Sequence, residues 1–277
     1  MTAVTLSKLL NKANKYNYAI AGLVVLGWED ALAFVEAAEQ TKIPIILQAG
    51  PSCRAHTPIP VLGKMFRHLA DQTKIPICCH IDHSYTLKEC KEGIDSGFTS
   101  VMYDGSKLSL KENIKITSKI AKITKSYNVS LEGEVGLVGY HKGINSEGTT
   151  LFEAKKFSNE SGVDAMAISV GNTHLQTSKI AKIDYNKIKQ IEKVSDIPLV
   201  LHGSSGISYN LRKKIARNTK VAKFNIGTEL RMIAGESLKN NIKKNKKNFD
   251  RLQLIKPTIK NIKNATMKVI KNIGPKK

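Results

Sequence analysis

Residues 76–84 read PICCHIDHS, a short apolar run that turns polar at its end. The apolar part favours a buried strand that begins after Pro76. The run ends in His80, Asp82 and His83, and buried polar groups cost free energy unless they are paired or bind a ligand. We therefore expect a functional site where this strand ends.

Similar segments recur along the whole chain. The predicted strands are YAIAGLVV (18–25), PIILQA (44–49), PICCHID (76–82), TSVMYDG (99–105), VSLEGEV (129–135), AMAISVG (165–171), PLVLHG (198–203) and AKFNIG (222–227). Helical patterns lie between them, such as WEDALAFVEAAEQT (28–41), LKECKEGIDSG (87–97), LKENIKITSKIAKITKSYN (110–128), LFEAKKFSNESG (151–162), DYNKIKQIEKVS (184–195) and SYNLRKKIARNT (208–219). This alternation predicts an α/β fold, a closed (β/α)8 TIM barrel. An open doubly wound sheet is the alternative, but no GxGxxG motif follows the first strand, which weakens a dinucleotide-binding interpretation.

The length of the chain, 277 residues, is typical of one α/β barrel. We interpret residues 1–235 as the catalytic barrel and residues 236–277 as a C-terminal helical extension packed on it. The chain has no run of about 18 apolar residues, the length that a membrane helix needs. Its N-terminus lacks a signal-peptide core, so we expect a cytoplasmic protein with no membrane partner.

The formal net charge of +21 invites a nucleic-acid interpretation. However, the lysines are spread along the chain. Even the lysine-rich part from Lys239 to Lys277 keeps apolar residues at helical intervals, which favours solvated helix faces. We expect no nucleic-acid partner, although a basic protein attracts phosphorylated metabolites.

The four cysteines are Cys53, Cys78, Cys79 and Cys90. No CxxC pair is present, which favours buried reduced thiols over disulfides or a zinc–thiolate site. Cys78 and Cys79 are neighbours in a strand and should point to opposite faces.

Polar residues end or follow most of the predicted strands. They are His80, Asp82 and His83 on the third strand, Asp104 after the fourth, Glu132 and Glu134 on the fifth, Asn172 and His174 after the sixth, His202 on the seventh, and Asn225 and Thr228 on the eighth. Because the carboxyl ends of barrel strands meet at one face, where active sites lie, we expect these side chains to share one pocket.

Three histidines come from three different strands: His83, His174 and His202. Three imidazoles with an open fourth position are typical of a catalytic Zn²⁺ site. Glu132 or Glu134 would support an imidazole or act as an extra ligand. The alternative for each histidine is an ordinary buried barrel side chain. The remaining histidines in loop or helix contexts are interpreted as surface or structural residues: His56, His68 and His141.

Two loops rich in Gly, Ser and Thr follow the last two strands, HGSSGI (202–207) and NIGTE (225–229). Backbone N–H groups and hydroxyls in such loops bind phosphate. HGSSG alone would also fit a simple turn, but the loops after strands seven and eight are a frequent phosphate site in barrels.

The sequence resembles the class II, metal-dependent ketose-bisphosphate aldolases, the family of fructose-bisphosphate and tagatose-bisphosphate aldolases. The matching segments are HIDH (80–83), SVMYDGS (100–106), LEGEVG (131–136), VDAMAISVGNTH (163–174), PLVLHGSSGI (198–207) and KFNIGTELR (223–231). The resemblance extends from about residue 5 to about residue 235.

The resemblance implies that His83, His174 and His202 bind one catalytic Zn²⁺ per chain and that Asp82 is the catalytic acid/base. Glu134 matches the glutamate beside the metal, as a support or an alternate ligand. The positions that would hold the phosphate and hydroxyls of the substrate are Gly203, Ser204, Ser205, Asn225, Gly227 and Thr228. The resemblance also implies a monovalent cation as a further cofactor and a homo-oligomer, a dimer or tetramer.

The sequence departs from the family at positions that would contact the substrate. Strand one, AGLVVLGWED, has no Asn where the family usually has a Phe-Asn pair. Leu175 stands where the family has Gly, and Gly227 stands where many members have Asp or Ala. Ser204 is the middle residue of the HGGSG-type loop, which reads HGSSG here. The residues that would bind the metal and transfer the proton are thus all present, while several residues that would position the substrate differ from those of the family.

Three further residues are candidates for substrate or proton contacts. Arg54, in QAGPSCRAHTP, is either a surface residue or a contact for phosphate or carboxylate. Glu147 lies in the Gly-rich segment GYHKGINSEGTT (139–150), which is either a lid that brings a proton-transfer group or a loop without function. Arg251, in FDRLQL (249–254), resembles the arginine of a DPR segment that reaches the distal phosphate from a neighbouring subunit, although the Pro is missing.

We expect a lyase of glycolysis or related carbohydrate metabolism, a zinc-dependent aldolase acting on a phosphorylated sugar. It would cleave a ketose 1,6-bisphosphate, fructose 1,6-bisphosphate first, into dihydroxyacetone phosphate and glyceraldehyde 3-phosphate. The alternatives are tagatose 1,6-bisphosphate, or another phosphorylated ketose that is singly phosphorylated or acidic. Leu175 and the missing strand-one Asn motivate the alternative of another, singly phosphorylated or acidic, substrate. A zinc-binding, non-catalytic subunit is the non-enzyme alternative.

Overall fold

Eight parallel strands close into a barrel in chain order in the computed structural model, which describes residues 2–140, 143 and 146–276. The strands are β1 (Ile20–Val24), β2 (Ile45–Ala49), β3 (Ile77–Ser84), β4 (Ser100–Tyr103), β5 (Ser130–Val135), β6 (Ala165–Ile168), β7 (Leu199–Leu201) and β8 (Val221–Ile226). β1 pairs with β8 and completes the barrel. The predicted TIM barrel is confirmed, and each predicted strand is present.

Helices cover the outside of the barrel and its N-terminal end. They are α1 (Leu6–Lys15), α2 (Trp28–Thr41), α3 (Pro51–His56), α4 (Ile59–Gln72), α5 (Leu87–Asp95), α6 (Leu110–Ser126), α7 (Leu151–Glu160), α8 (Tyr185–Val194), α9 (Tyr209–Asn218), α10 (Thr228–Lys244), α11 (Arg251–Ile255), α12 (Thr258–Ile273) and a 3₁₀ turn, η1 (Ser204–Gly206). Hydroxyl and carboxylate side chains accept a hydrogen bond from the first turn of six of them and fix where they begin. These caps are Thr86, Ser109, Thr150, Asp184, Ser208 and Asp250.

The N-terminal half of the barrel interior is apolar. Leu6 and Leu10 of α1 pack against Ile46 and Cys78 inside the barrel, so this helix closes the N-terminal end. Cys79 belongs to the outer core between sheet and helices, which confirms the opposite faces predicted for the two cysteines. The four cysteines are buried and free. The polar residues inside the barrel therefore lie in its C-terminal half.

The C-terminal part of the chain packs on the barrel. α12 lies against α2 and α10, and its Ile262, Val269 and Ile273 are buried in the outer core. α10 continues unbroken through residue 235, where we divide the chain, so that division remains a proposal. Within the described residues, no helix has the length and apolar character that a membrane crossing requires.

Candidate active site

The carboxyl ends of the strands surround a cleft of about 290 Å³. It brings together many of the residues that the sequence predicts at the site. These are Asp82, His83, His174, Gly203, Ser205, Asn225, Gly227 and Thr228. The predicted convergence of separate strand ends on one pocket is therefore present.

Three imidazoles form the centre of the cleft. The ring centroid of His83 lies 4.7 Å from that of His202 and 5.2 Å from that of His174. One ring nitrogen of each histidine lies within 4.8 Å of the others. His83 adopts a left-handed backbone conformation, with φ of 51°, at the end of β3. Such spacing suits three ligands of one metal ion.

Two of these imidazoles are oriented by carboxylates behind them. His83 Nδ1 lies 2.8 Å from Asp104 Oδ2, and the Ser106 hydroxyl and backbone N–H both donate to Asp104 Oδ1. His202 Nε2 lies 3.0 Å from Glu132 Oε1. The other ring nitrogens, His83 Nε2 and His202 Nδ1, are buried without a hydrogen-bond partner. A carboxylate behind an imidazole and a free nitrogen in front of it are the arrangement of a metal ligand.

Glu134 lies beside the imidazoles, as the sequence predicts. Its Oε2 is 3.3 Å from His202 Nδ1 and has no hydrogen-bond partner, while Oε1 accepts from the Val138 N–H. Burial and the neighbouring charge of Asp104 raise the pKa of Glu134 well above its usual range. Glu134 is thus placed to support the three imidazoles or to act as a fourth ligand.

The electrostatics of the site favour a cation. Burial disfavours the charged form of His83, but Asp82, Asp104 and Glu134 outweigh it and raise the pKa of His83 to about 10. Burial and the charge of His83 lower the pKa of His174 to about 3. The carboxylates therefore stabilise one positive charge at the centre of the cleft, and the donor atoms present fit a divalent metal ion.

Asp82 is buried beside the imidazoles and is held by one neighbour. The Asn225 amide donates to Asp82 Oδ1 at 3.2 Å. Burial alone would raise the pKa of Asp82, but His83, His202 and Lys223 outweigh it and lower that pKa. Asp82 is therefore an ionised carboxylate in the cleft, which is the state that a general base needs.

The loops after β7 and β8 form one side of the cleft. Ser205 Oγ accepts hydrogen bonds from the backbone N–H groups of Gly227 and Glu229, where α10 begins. Gly203 has a positive φ of 61°, and a Cβ at this position would lie 2.2 Å from the Thr173 carbonyl oxygen. Glycine is therefore required there. The start of α10 beside Ser205 suits an anion.

Two predicted contacts are wrong in this structure. Ser204 is fully buried, and its hydroxyl donates to the Leu201 carbonyl, so it does not line the cleft. Arg54 is neither a surface residue nor a cleft residue. Its guanidinium is buried behind β3 and donates to the carbonyl oxygens of Ala49, Asp82 and His83 at 2.7, 2.5 and 2.9 Å. Arg54 thus holds the end of β3 from behind.

The other predicted residues lie outside the cleft. Glu147 is exposed and its backbone pairs with Leu137, so its position gives no support to a proton-transfer role. The predicted lid is described only at residues 139–140, 143 and 146–150. Arg251 is exposed at the start of α11. His56 and His68 are exposed, as expected, and His141 lies outside the described residues.

Among the other cleft residues, Leu175 was expected at a position that contacts the substrate, whereas Tyr140 and Arg231 were not predicted. The Tyr140 ring stacks on His174 with centroids 5.0 Å apart, and the His174 N–H donates to the Gly139 carbonyl. Leu175 lines the cleft with a positive φ of 60° and is 49% exposed. Arg231 lines the cleft from α10. Arg231 ends the matching segment KFNIGTELR, and this position could have indicated a site residue. For Tyr140 the only indication in the sequence was the Gly-rich segment around it.

A buried polar layer lies beneath the imidazoles. Lys223 Nζ is 2.6 Å from Glu132 Oε2 and 3.4 Å from His80 Nε2, and His80 Nδ1 is 2.8 Å from the Ser100 hydroxyl. Lys223 therefore compensates the charge of Glu132, which in turn orients His202. Both ring nitrogens of His80 therefore have partners within this layer, so His80 is not one of the imidazoles available to a metal ion.

The sequence profile of class II fructose-bisphosphate aldolases matches residues 4–277. The chain belongs to this family. It is 31% identical over 282 residues to the 6-phospho-5-dehydro-2-deoxy-D-gluconate aldolase of Bacillus licheniformis, covering 99% of this chain and 96% of that relative. It is 27% identical to the fructose-bisphosphate aldolase of Helicobacter pylori strain 26695, covering 97% of both chains.

A solved structure shows the same fold. The crystal structure of the YdjI aldolase of Escherichia coli K12 superposes with a TM-score of 0.86 at 27% identity, covering 98% of this chain and 97% of that one. The protein is thus a class II aldolase, a lyase. The expectation of an enzyme is confirmed over that of a non-catalytic subunit.

Proposed function

We propose that this class II aldolase catalyses the reversible, zinc-dependent retro-aldol cleavage of a phosphorylated ketose to dihydroxyacetone phosphate and an aldehyde. The observation that carries the proposal is the convergence of His83, His174 and His202 on one point beside the ionised Asp82. Three imidazoles with carboxylate supports favour Zn²⁺ among the divalent metals.

When bound, the metal ion supplies Lewis-acid polarisation of the substrate carbonyl and neutralises the negative charge that develops on the ketose half. The three histidines would hold it. Asp82 accepts the proton of the hydroxyl next to the breaking carbon–carbon bond. The Asn225 amide fixes the carboxylate of Asp82 in position for this transfer.

The ketose phosphate is proposed to bind where β7 and β8 end. The glycine backbone at Gly203, the hydroxyls of Ser205 and Thr228 and the N-terminus of α10 face this part of the cleft. The two hydroxyls and the helix dipole favour a doubly charged phosphate over a neutral group. Tyr140, stacked on His174, covers part of the metal centre.

Two substrates share this chemistry. Fructose 1,6-bisphosphate is the first, supported by the Helicobacter pylori relative. The second is 6-phospho-5-dehydro-2-deoxy-D-gluconate, supported by the Bacillus licheniformis relative. In both, the C3–C4 bond lies between a hydroxyl-bearing carbon and the carbon next to the ketone. Cleavage releases dihydroxyacetone phosphate from both, with glyceraldehyde 3-phosphate from the first and a carboxylate-bearing aldehyde from the second.

A coupled assay of triose phosphate release tests the proposal. It uses zinc-loaded enzyme with fructose 1,6-bisphosphate, tagatose 1,6-bisphosphate and 6-phospho-5-dehydro-2-deoxy-D-gluconate side by side. We expect cleavage of at least one substrate, its loss with a chelator and its return with Zn²⁺. Cleavage of none, or cleavage that resists the chelator, would contradict the proposal. The monovalent cation, the dimer or tetramer, the cytoplasmic location and the lack of a nucleic-acid partner remain predictions.

A further inference from the structure

The side of the cleft next to Asp82 is apolar. Val24 ends β1, Gly50 follows β2 and Pro51 begins α3, and all three line the cleft. None of them has a polar side-chain atom, and proline also lacks a backbone N–H. Ser52, the next residue, is exposed to solvent. We call Val24, Gly50 and Pro51 the apolar wall.

The side chains that can form hydrogen bonds with the ketose half lie on other elements. Ser205 and Thr228 belong to the segments after β7 and β8, where the phosphate is proposed to bind. Asn225, on β8, donates to Asp82. The two ends of the cleft therefore differ, because polar groups surround the proposed phosphate site while the side chains of the apolar wall neither donate nor accept hydrogen bonds.

The apolar wall borders the carboxylate of Asp82. The Asn225 amide occupies Asp82 Oδ1 at 3.2 Å. The other oxygen, Oδ2, lies 3.7 Å from the point that a Cβ on Gly50 would occupy, and Val24 Cγ1 lies 4.0 Å from the same point. The space in front of Gly50 is thus bounded by the carboxylate on one side and by a methyl group of Val24 on the other.

The proposed reaction would place the aldehyde half of the substrate against this wall. Asp82 accepts the proton of the hydroxyl on the carbon that becomes the aldehyde, so the next carbon of the aldehyde half is only two bonds from that hydroxyl oxygen. A methylene at this carbon would gain contact with the methyl groups of Val24. A hydroxyl there would leave water without finding a partner on the wall, which is unfavourable.

We propose that Val24, as part of the apolar wall, determines specificity by favouring aldehydes that carry a CH₂ group, and no hydroxyl, on the carbon next to the carbonyl. The proposal rests on the proposed function, since Asp82 marks the boundary between the two halves of the substrate. The substrate class is a phosphorylated ketose that is deoxygenated at this carbon. Of the two proposed substrates, 6-phospho-5-dehydro-2-deoxy-D-gluconate has the methylene and fructose 1,6-bisphosphate has a hydroxyl there.

The test uses two aldehydes that differ only in this hydroxyl, 3-hydroxypropanal and D-glyceraldehyde. Each is condensed with dihydroxyacetone phosphate, and kcat/KM is measured for the wild type, Val24→Thr, Val24→Asn and Val24→Ala. Both aldehydes are uncharged, so the cation in the cleft, Arg231, does not separate them. Comparing the ratio between enzymes cancels the different hydration of the two aldehydes in water.

The variants separate polarity from space. Threonine has nearly the shape of valine and adds one hydroxyl, so the test remains decisive if Val24→Asn does not fold. Alanine removes two methyl groups and adds no polar atom. Val61→Asn is the matched control, because it makes the same substitution at an exposed position on α4.

We expect Val24→Thr and Val24→Asn to lower the ratio of kcat/KM for 3-hydroxypropanal to that for D-glyceraldehyde by roughly 5- to 30-fold, because the glyceraldehyde hydroxyl gains a partner. Val24→Ala should keep the ratio within about threefold, since its wall stays apolar, and Val61→Asn should keep both values. An unchanged ratio in both polar variants would overturn the proposal. A fall in Val24→Ala as large as in Val24→Asn would also overturn it, because space and not polarity would then decide.

Hydrogen exchange between dihydroxyacetone phosphate and solvent separates this proposal from the proposed function, because exchange needs only the ketose half. Exchange and condensation by the wild type, with an unchanged aldehyde ratio in both polar variants, overturn the role of Val24 alone. If these variants lose exchange in proportion to both aldehydes, Val24 supports the ketose half or the fold, which also overturns it. A wild type that neither exchanges nor condenses overturns the proposed function, and this proposal with it.

Discussion

Replacing Arg54 with methionine should destabilise the protein by about 3 to 5 kcal/mol and weaken metal binding. The guanidinium donates to three backbone carbonyl oxygens, two of which belong to Asp82 and His83. A hydrogen bond to a charged group contributes about 1.5–3 kcal/mol, and the contributions of bonds that share one donor group are not additive. Methionine fills much of the same volume but removes the guanidinium from which all three carbonyl oxygens accept.

The same contacts hold the left-handed backbone at His83, so the orientation of its imidazole should loosen in Arg54→Met. We expect the affinity for Zn²⁺ to fall by roughly 10- to 100-fold, as for loss of a group that orients a metal ligand. Stability is measured by denaturant unfolding of the metal-free protein, and affinity by competition with a chromophoric chelator.

Arg251→Met is the matched control for Arg54→Met, because it makes the same substitution at an exposed position. It should change the free energy of unfolding by less than about 0.5 kcal/mol. Arg54→Lys should be intermediate, since an ammonium group cannot span all three carbonyl oxygens. An Arg54→Met protein within about 1 kcal/mol of the wild type and with wild-type zinc affinity would refute this reasoning.

Three other substitutions address separate parts of the site. Asp82→Asn should lower kcat by roughly 10²- to 10⁴-fold with zinc content retained, and full cleavage activity would exclude Asp82 as the acid/base. Asp104→Asn should weaken zinc binding by roughly 10- to 100-fold in the chelator competition, because His83 loses its carboxylate partner; unchanged affinity would count against that role. Leu175→Gly should change the free energy of unfolding by less than about 1 kcal/mol, because relief of left-handed strain offsets the lost side chain. A denaturant curve showing a loss above about 2 kcal/mol would disprove this.

The barrel was predictable because its cause is local and repeated. Each strand is a short apolar run followed by a helical pattern, and the structure confirms this in all eight units. The convergence of Asp82, His83, His174 and His202 followed from topology, since strand ends meet at one face. The hydrophobic repeat within one strand or helix can be read from neighbouring residues alone, without knowing which distant residues it contacts.

The errors concern side chains whose role depends on three-dimensional neighbours. Arg54 looked like a free loop residue, but the fold turns it towards the carbonyl oxygens at the end of β3. Ser204 and Ser205 are adjacent hydroxyls, and only the geometry of η1 decides that Ser205 faces the cleft. Arg231 was missed because nothing in the sequence shows that α10 turns this side chain towards the cleft.

The location of the metal ion tests the proposed catalysis most directly. Crystals of the zinc-loaded enzyme, measured on both sides of the zinc absorption edge, would show the ion by its anomalous signal. We predict one strong peak per chain at about 2.0–2.1 Å from one nitrogen each of His83, His174 and His202. No peak at the three imidazoles, or a peak bound only by Asp104 and Glu134, would contradict the proposed metal centre.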